Sequence, residues 1–159
     1  METVHSVVEI AASPQVVYET LTNTSYIIKI FRDAVSVDVD PPGNSVVGQK
    51  YHLVGRAGRR KIDINLQVAE LVPNKKVVTV QRPGGVFKSF KQTTVLESRA
   101  GMTEARTTFE YELAFGYIGK VLNSILVERL IRENLEAYSY MVKELSELLP
   151  MPSEETRAT

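Results

Sequence analysis

The chain has no cysteine, no tryptophan and only two histidines among its 159 residues. Without thiols it forms no disulfide and offers no thiolate nucleophile or metal ligand. His5 and His52 fall on separate strand patterns, each beside a charged neighbour (Glu9 and Lys50), and both are expected to face solvent. A catalytic zinc needs about three converging protein ligands. No metal site, Ser-His-Asp set or cofactor is therefore expected. Neither charge is in excess, since nineteen basic residues balance nineteen acidic ones. No net field draws the chain toward phosphate backbones, so nucleic acid is not an expected partner. Long apolar runs are missing as well. The most apolar stretch, Ile118 to Ile131, is broken by Lys120, Asn123, Glu128 and Arg129, whereas a membrane span needs ~20 largely apolar residues. The opening Met1-Glu2-Thr3-Val4 has no basic n-region or apolar h-region, and the expected location is the cytoplasm.

What is present suits one globular domain. Apolar residues make up 43% and charged residues 24%, proportions that a disordered or fibrous chain does not have. The length allows a real core with room for a cavity. Val4, Ser6, Val8 and Ile10 alternate with His5, Val7 and Glu9, predicting a half-buried strand. Ser13-Pro14 then supplies an N-cap hydroxyl and a proline at the first helical position, starting a short helix that runs to about Leu21. Asn23, Thr24 and Ser25 cap a second short helix carrying Tyr26, Ile27, Ile28, Ile30 and Phe31.

From Ala34 to about Leu113 the period is two. Turn chemistry breaks it at Pro41-Pro42-Gly43-Asn44, Gly55 to Gly58, Pro73-Asn74, Pro83-Gly84-Gly85 and Ala100-Gly101, which predicts six further strands. Breaks this short cannot hold the crossovers that parallel strands require, so the strands form an antiparallel meander. Ile62, Ile64, Leu66 and Val68 share one face of the fourth strand. On the seventh, Ala105, Thr107, Phe109, Tyr111 and Leu113 share the inner face, because the charged set opposite them cannot be buried unpaired.

After Gly116 and Gly119, a predicted hinge, a helical pattern runs to about Leu149, on the order of 45 Å. Ile131, Leu135, Tyr138, Val142, Leu145 and Leu149 form its apolar stripe. Continued backward, that stripe meets Glu128 and Ser124 and loses definition. Glu128 with Arg132 and Arg129 with Glu133 are spaced as i, i+4 ion pairs. Pro150 and the polar residues after it read as a disordered tail, so the domain is assigned to residues 1–149 and the tail to 150–159.

The stretch Ser6-Val-Val-Glu-Ile-Ala-Ala-Ser-Pro-Gln-Val-Val-Tyr-Glu-Thr-Leu21, the pair Val47-Gly48 and the segment Leu135 through Leu145 resemble the START-like helix-grip (SRPBCC) superfamily. Within it, the likeness is to the polyketide cyclase, dehydrase and lipid-transport branch, and it spans residues 3 to 149. The resemblance implies an α+β helix-grip fold: a curved seven-stranded antiparallel sheet, two short helices and one long C-terminal helix over the concave face. It further implies that strand one pairs beside strand seven and that ligands lie between sheet and helix. The motifs are structural punctuation without a catalytic signature, so they speak to fold more than to function.

With that frame, the inner strand faces and the helix place Tyr51, Leu53, Ile64, Leu66, Phe90, Gln92, Thr94, Thr107, Phe109, Tyr111, Leu122 and Ile125 around a cavity. An apolar lining with a few polar groups is the usual makeup of a ligand pocket; a filled core with satisfied hydroxyls is the plainer alternative. The leading expectation is binding or carriage of an apolar small molecule or lipid, with no catalytic residue. The alternatives are an aromatase/cyclase-type enzyme in which Tyr51 or Tyr111 positions or protonates a polyketide-like substrate, and an interaction module with a closed cavity. Arg56-Ala-Gly-Arg-Arg-Lys61 concentrates positive charge in one turn. A solvated turn accounts for it, with transient contact to anionic headgroups or a partner as the alternative.

Overall fold

The computed structural model describes residues 1–31, 34, 36–57, 59–82, 87–114 and 124–148. Strand β1 (Glu2–Ile10) is followed by helices α1 (Pro14–Thr22) and α2 (Thr24–Ile30). Strands β2 (Ser36–Asp40), β3 (Lys50–Ala57), β4 (Arg60–Val72), β5 (Lys76–Gln81), β6 (Phe87–Arg99) and β7 (Met102–Leu113) come next, then the long helix α3 (Ser124–Leu148). All strand pairings are antiparallel, in the spatial order β1-β7-β6-β5-β4-β3-β2. The first strand thus pairs with the last, as the resemblance implied.

Local chemistry sets the element ends. Ser13 Oγ accepts the Val16 N–H at 3.3 Å with Pro14 in the first turn of α1, and Asn23 Oδ1 accepts the Ser25 N–H at 3.0 Å to start α2. These side chains satisfy donors that a helix start leaves open. Ala100 (φ 49°) and Gly101 (φ 81°) form the two-residue turn between β6 and β7, a tight hairpin link that requires positive φ at both positions.

Two register shifts change which residues face inward. Strict alternation puts Val68 and Leu71 on opposite faces of β4, yet both pack in one core cluster with Tyr51, Leu53 and Leu66. A bulge between Val68 and Glu70 reconciles them, since an extra residue flips the parity of everything after it. A second bulge, between Phe87 and Ser89 in β6, likewise brings Phe87 onto the same side as Phe90.

Helix α3 has 25 residues, a length of about 37 Å. Its stripe of Ile131, Leu135 and Val142 is buried, with Tyr138 and Leu145 partly so. The sequence reading of its N-terminal half needs correction: the stripe continues through buried Val127, one residue before Glu128. The i, i+4 spacing of Val127, Ile131 and Leu135 keeps them on one face against Val4, Phe109 and Tyr111. The far end is pinned to the end of β1 and to α1. Lys143 Nζ donates to the Glu9 carbonyl at 3.0 Å, the Ala11 N–H donates to Glu147 Oε1 at 3.0 Å, and Ser146 Oγ donates to Thr20 Oγ1 at 3.1 Å. Both expected surface pairs form, Arg132–Glu128 at 3.2 Å and Arg129–Glu133 at 3.3 Å. The hinge expected at Gly116 to Gly119 and the tail at 150–159 lie outside the described residues.

Candidate functional site

Between the sheet and α3 lies a cavity of about 30 Å³, space for roughly two waters. Strands β3 to β6 supply Tyr51, Leu66, Val77, Thr79 and Gln92 to its wall; the short helices supply Leu21, Ile27, Ile30 and Phe31, and α3 supplies Tyr138. The register explains the grouping, because Leu66 and Val68 on β4, Thr79 on β5 and Gln92 on β6 stand side by side across paired strands. Phe31 closes one side against Tyr138, with ring centroids 6.1 Å apart.

Polar atoms in this region are held in two chains. In the first, Gln49, fully buried, donates its side-chain N–H to the Pro41 carbonyl at 2.7 Å. That contact orients the amide, so the Gln49 carbonyl faces Tyr51 and accepts its hydroxyl proton at 2.9 Å. With its one proton committed, Tyr51 accepts from the Ser45 hydroxyl at 3.0 Å. Burial pushes the Tyr51 phenol up, and the Ser45 hydrogen bond works against that. In the second chain, the Thr94 and Thr107 hydroxyls meet across β6 and β7 at 3.1 Å. Tyr138 is pushed up to about 12 by burial, opposed by hydrogen bonding to the Thr94 and Gln92 side chains. Tyr111 is also raised, first by burial and then by Glu2 and Glu128, against Arg132.

No protein-family model matches the chain, and no curated protein matches it. Solved structures do. A Thermus thermophilus protein superposes with a TM-score of 0.77 at 21% identity, covering 91% of this chain and 97% of its own. The Zhui aromatase/cyclase of Streptomyces sp. R1128 gives 0.74 at 17% identity, covering 92% and 93%. A truncated norcoclaurine synthase of Thalictrum flavum gives 0.72 at 14% identity, covering 94% and 95%. The chain has the helix-grip fold of these structures. At these identities the likeness concerns the fold alone.

Within the helix-grip frame, the structure brings three of the expected site residues to the cavity wall: Tyr51, Leu66 and Gln92. Leu53 and Ile64 sit behind them in the same apolar cluster, and Phe90 bridges that cluster and the next. Thr94 and Thr107 spend their hydroxyls on each other. Phe109 and Tyr111 pack with Val4, Ile131 and Leu135 at the other end of the sheet. Leu122 lies outside the described residues, as does the Ile125 side chain.

Seven wall residues were not anticipated. Val77 and Thr79 sit in Lys76-Val-Val-Thr-Val-Gln81, where valines of both parities hide which face is inner. Leu21, Ile27, Ile30 and Phe31 lie on helices too short for periodicity to mark a face. Tyr138 was legible as a stripe residue, and only the fold sets its hydroxyl against Thr94 and Gln92.

The histidines stand apart, on β1 and β3, with four strands between them. His5 is exposed. His52 also reaches solvent, with its Nε2 2.9 Å from Asp63 and its Nδ1 3.9 Å from Asp38, because cross-strand register brings these residues together. In the basic turn, Arg59 and Lys61 are exposed. No helix among the described residues is long and apolar enough to cross a membrane.

Proposed function

We propose that this protein binds or carries an apolar small molecule or lipid in the cavity between sheet and α3, working in the cytoplasm. The observation that carries the reading is the makeup of the cavity wall, an apolar surface bearing a few fixed and uncharged polar side chains, the usual constitution of a small-molecule site. The fold neighbours support it, since they include an aromatase/cyclase, named for ring-forming chemistry, and a norcoclaurine synthase, named for the small organic molecule it makes. At about 30 Å³ the space is well below the several hundred Å³ typical of ligand pockets. A ligand is therefore admitted by displacement of the wall, and Phe31, an apolar ring on its edge, can move without breaking a side-chain hydrogen bond.

Binding is favoured over proton-transfer catalysis by the same groups. A general acid or base works best with a pKa near the working pH, whereas burial raises Tyr51 and holds Tyr138 at about 12. Such phenols stay protonated and donate hydrogen bonds. Native mass spectrometry of protein purified from the cells that make it tests the reading. A retained small molecule is the expected result. A ligand-free protein that also ignores apolar probes would instead identify an interaction module with a closed interior.

A further inference from the structure

The cavity's polar side chains differ in how much hydrogen-bonding capacity they have left. The Tyr51 hydroxyl is committed to Gln49 and Ser45, and the Tyr138 hydroxyl faces Thr94 and Gln92. Gln92 is only 9% exposed, and an amide of this kind offers two donors and a carbonyl acceptor. Its side-chain hydrogen bonding to Tyr138 uses part of that capacity. Thr79, 7% exposed, has no side-chain hydrogen bond among the described residues. The two stand directly opposite each other across β5 and β6, where side chains lie close enough to touch one group together. Both line the cavity.

Charge is the second observation. No lysine, arginine, histidine, aspartate or glutamate lines the cavity among the described residues. An anionic or cationic headgroup there would give up its hydration with no counter-charge to replace it. A neutral carbonyl or hydroxyl faces no such cost, because Thr79 and the Gln92 amide can exchange hydrogen bonds with it. Left without a polar guest, the same two side chains keep hydrogen-bonding capacity that a guest in the cavity can take up.

We propose that Thr79 and Gln92 form a neutral polar anchor that selects ligands carrying an uncharged carbonyl or hydroxyl on an apolar body, over fatty-acid or phospholipid anions. The anchor rests on the cavity-binding reading above and adds the ligand's chemical class to it. A carbonyl oxygen accepts from the Gln92 N–H and the Thr79 O–H. A hydroxyl accepts from one and donates to the Gln92 carbonyl.

The test uses three probes of one ring size on the isotopically labelled full chain: acetophenone, ethylbenzene and benzoate, followed by chemical-shift titration at neutral pH. Acetophenone is expected to bind roughly 3- to 10-fold more tightly than ethylbenzene, the increment of a net hydrogen bond, with benzoate the weakest. Thr79→Val and Gln92→Leu, each close in shape to the residue replaced, should bring the acetophenone-to-ethylbenzene ratio toward one while ethylbenzene affinity holds. Benzoate binding as tightly as acetophenone overturns the anchor, and so does a ratio unchanged in both variants. Ethylbenzene binding without a ketone preference sinks the anchor alone and leaves the cavity reading standing. Failure of all three probes removes both.

Discussion

Toward β6 and β7, the inner face of the sheet is covered by interlocking rings: Phe90 and Phe109 meet at 5.2 Å, and Phe87 and Tyr111 at 5.9 Å, both edge-on. Toward β5 the inner positions are Val77 and Thr79, with Gln92 of β6 beside them, and a cavity remains there. One sheet and one helix serve both regions, so side-chain volume and polarity decide the difference. Rings that meet edge to face exclude solvent and gain contact on several sides. Short or polar side chains placed opposite a helix leave a gap unless something else enters it. The next pair on the same face past Gln92 and Phe109 is Thr94–Thr107, a polar seam whose hydroxyls meet at 3.1 Å.

The largest expected effect tests that contrast directly. Tyr111, 2% exposed among aromatic and aliphatic neighbours, should lose about 3–5 kcal/mol on truncation to Ala, as large aromatic deletions in packed interiors do. Phe31→Ala, at the cavity rim, should lose only about 1–2 kcal/mol, because a side chain bordering a void forfeits fewer contacts. Denaturant unfolding of both variants measures the gap, and equal losses would break the comparison. An intermediate effect comes from the seam. Thr94→Val removes the partner of the buried Thr107 hydroxyl. A loss of about 1–2 kcal/mol is expected, and a neutral result would show that water already serves these groups.

The smallest effect concerns how α3 is pinned beyond both regions. Glu147 is held below its ordinary value of 4.5, chiefly by the Ala11 N–H and then by Lys143. A carboxyl with a depressed folded pKa contributes stability that is present above its unfolded pKa and lost as pH falls through the folded one. Glu147→Gln should therefore lower stability at neutral pH, by less than ~1 kcal/mol for so exposed a group. The variant and the parent should converge as the pH drops below 4.5. A gap that persists undiminished in acid would show that the carboxylate charge is not the cause.

Alternation on β1, β4 and β7, caps at Ser13 and Asn23, short turns and a long apolar stripe were enough to read the element order and the antiparallel meander from residues alone. These are local signals, each written within about ten neighbouring residues, and physical chemistry acts on them before any distant contact forms. Bulges in β4 and β6 were not legible, since one extra residue leaves no mark in composition yet reverses the parity after it. That is why Phe87 was missed as an inner residue. The candidate site was legible only in part for the same reason. Tyr51, Leu66 and Gln92 follow from strand parity, but Thr79 sits among valines that point both ways, and Phe31 ends a helix of seven residues. Whether an inner residue borders a void or fills one depends on the volumes facing it from elements far away in the chain. Tertiary packing alone decided that, and with it the split between a ring-filled region around Tyr111 and a cavity around Gln92.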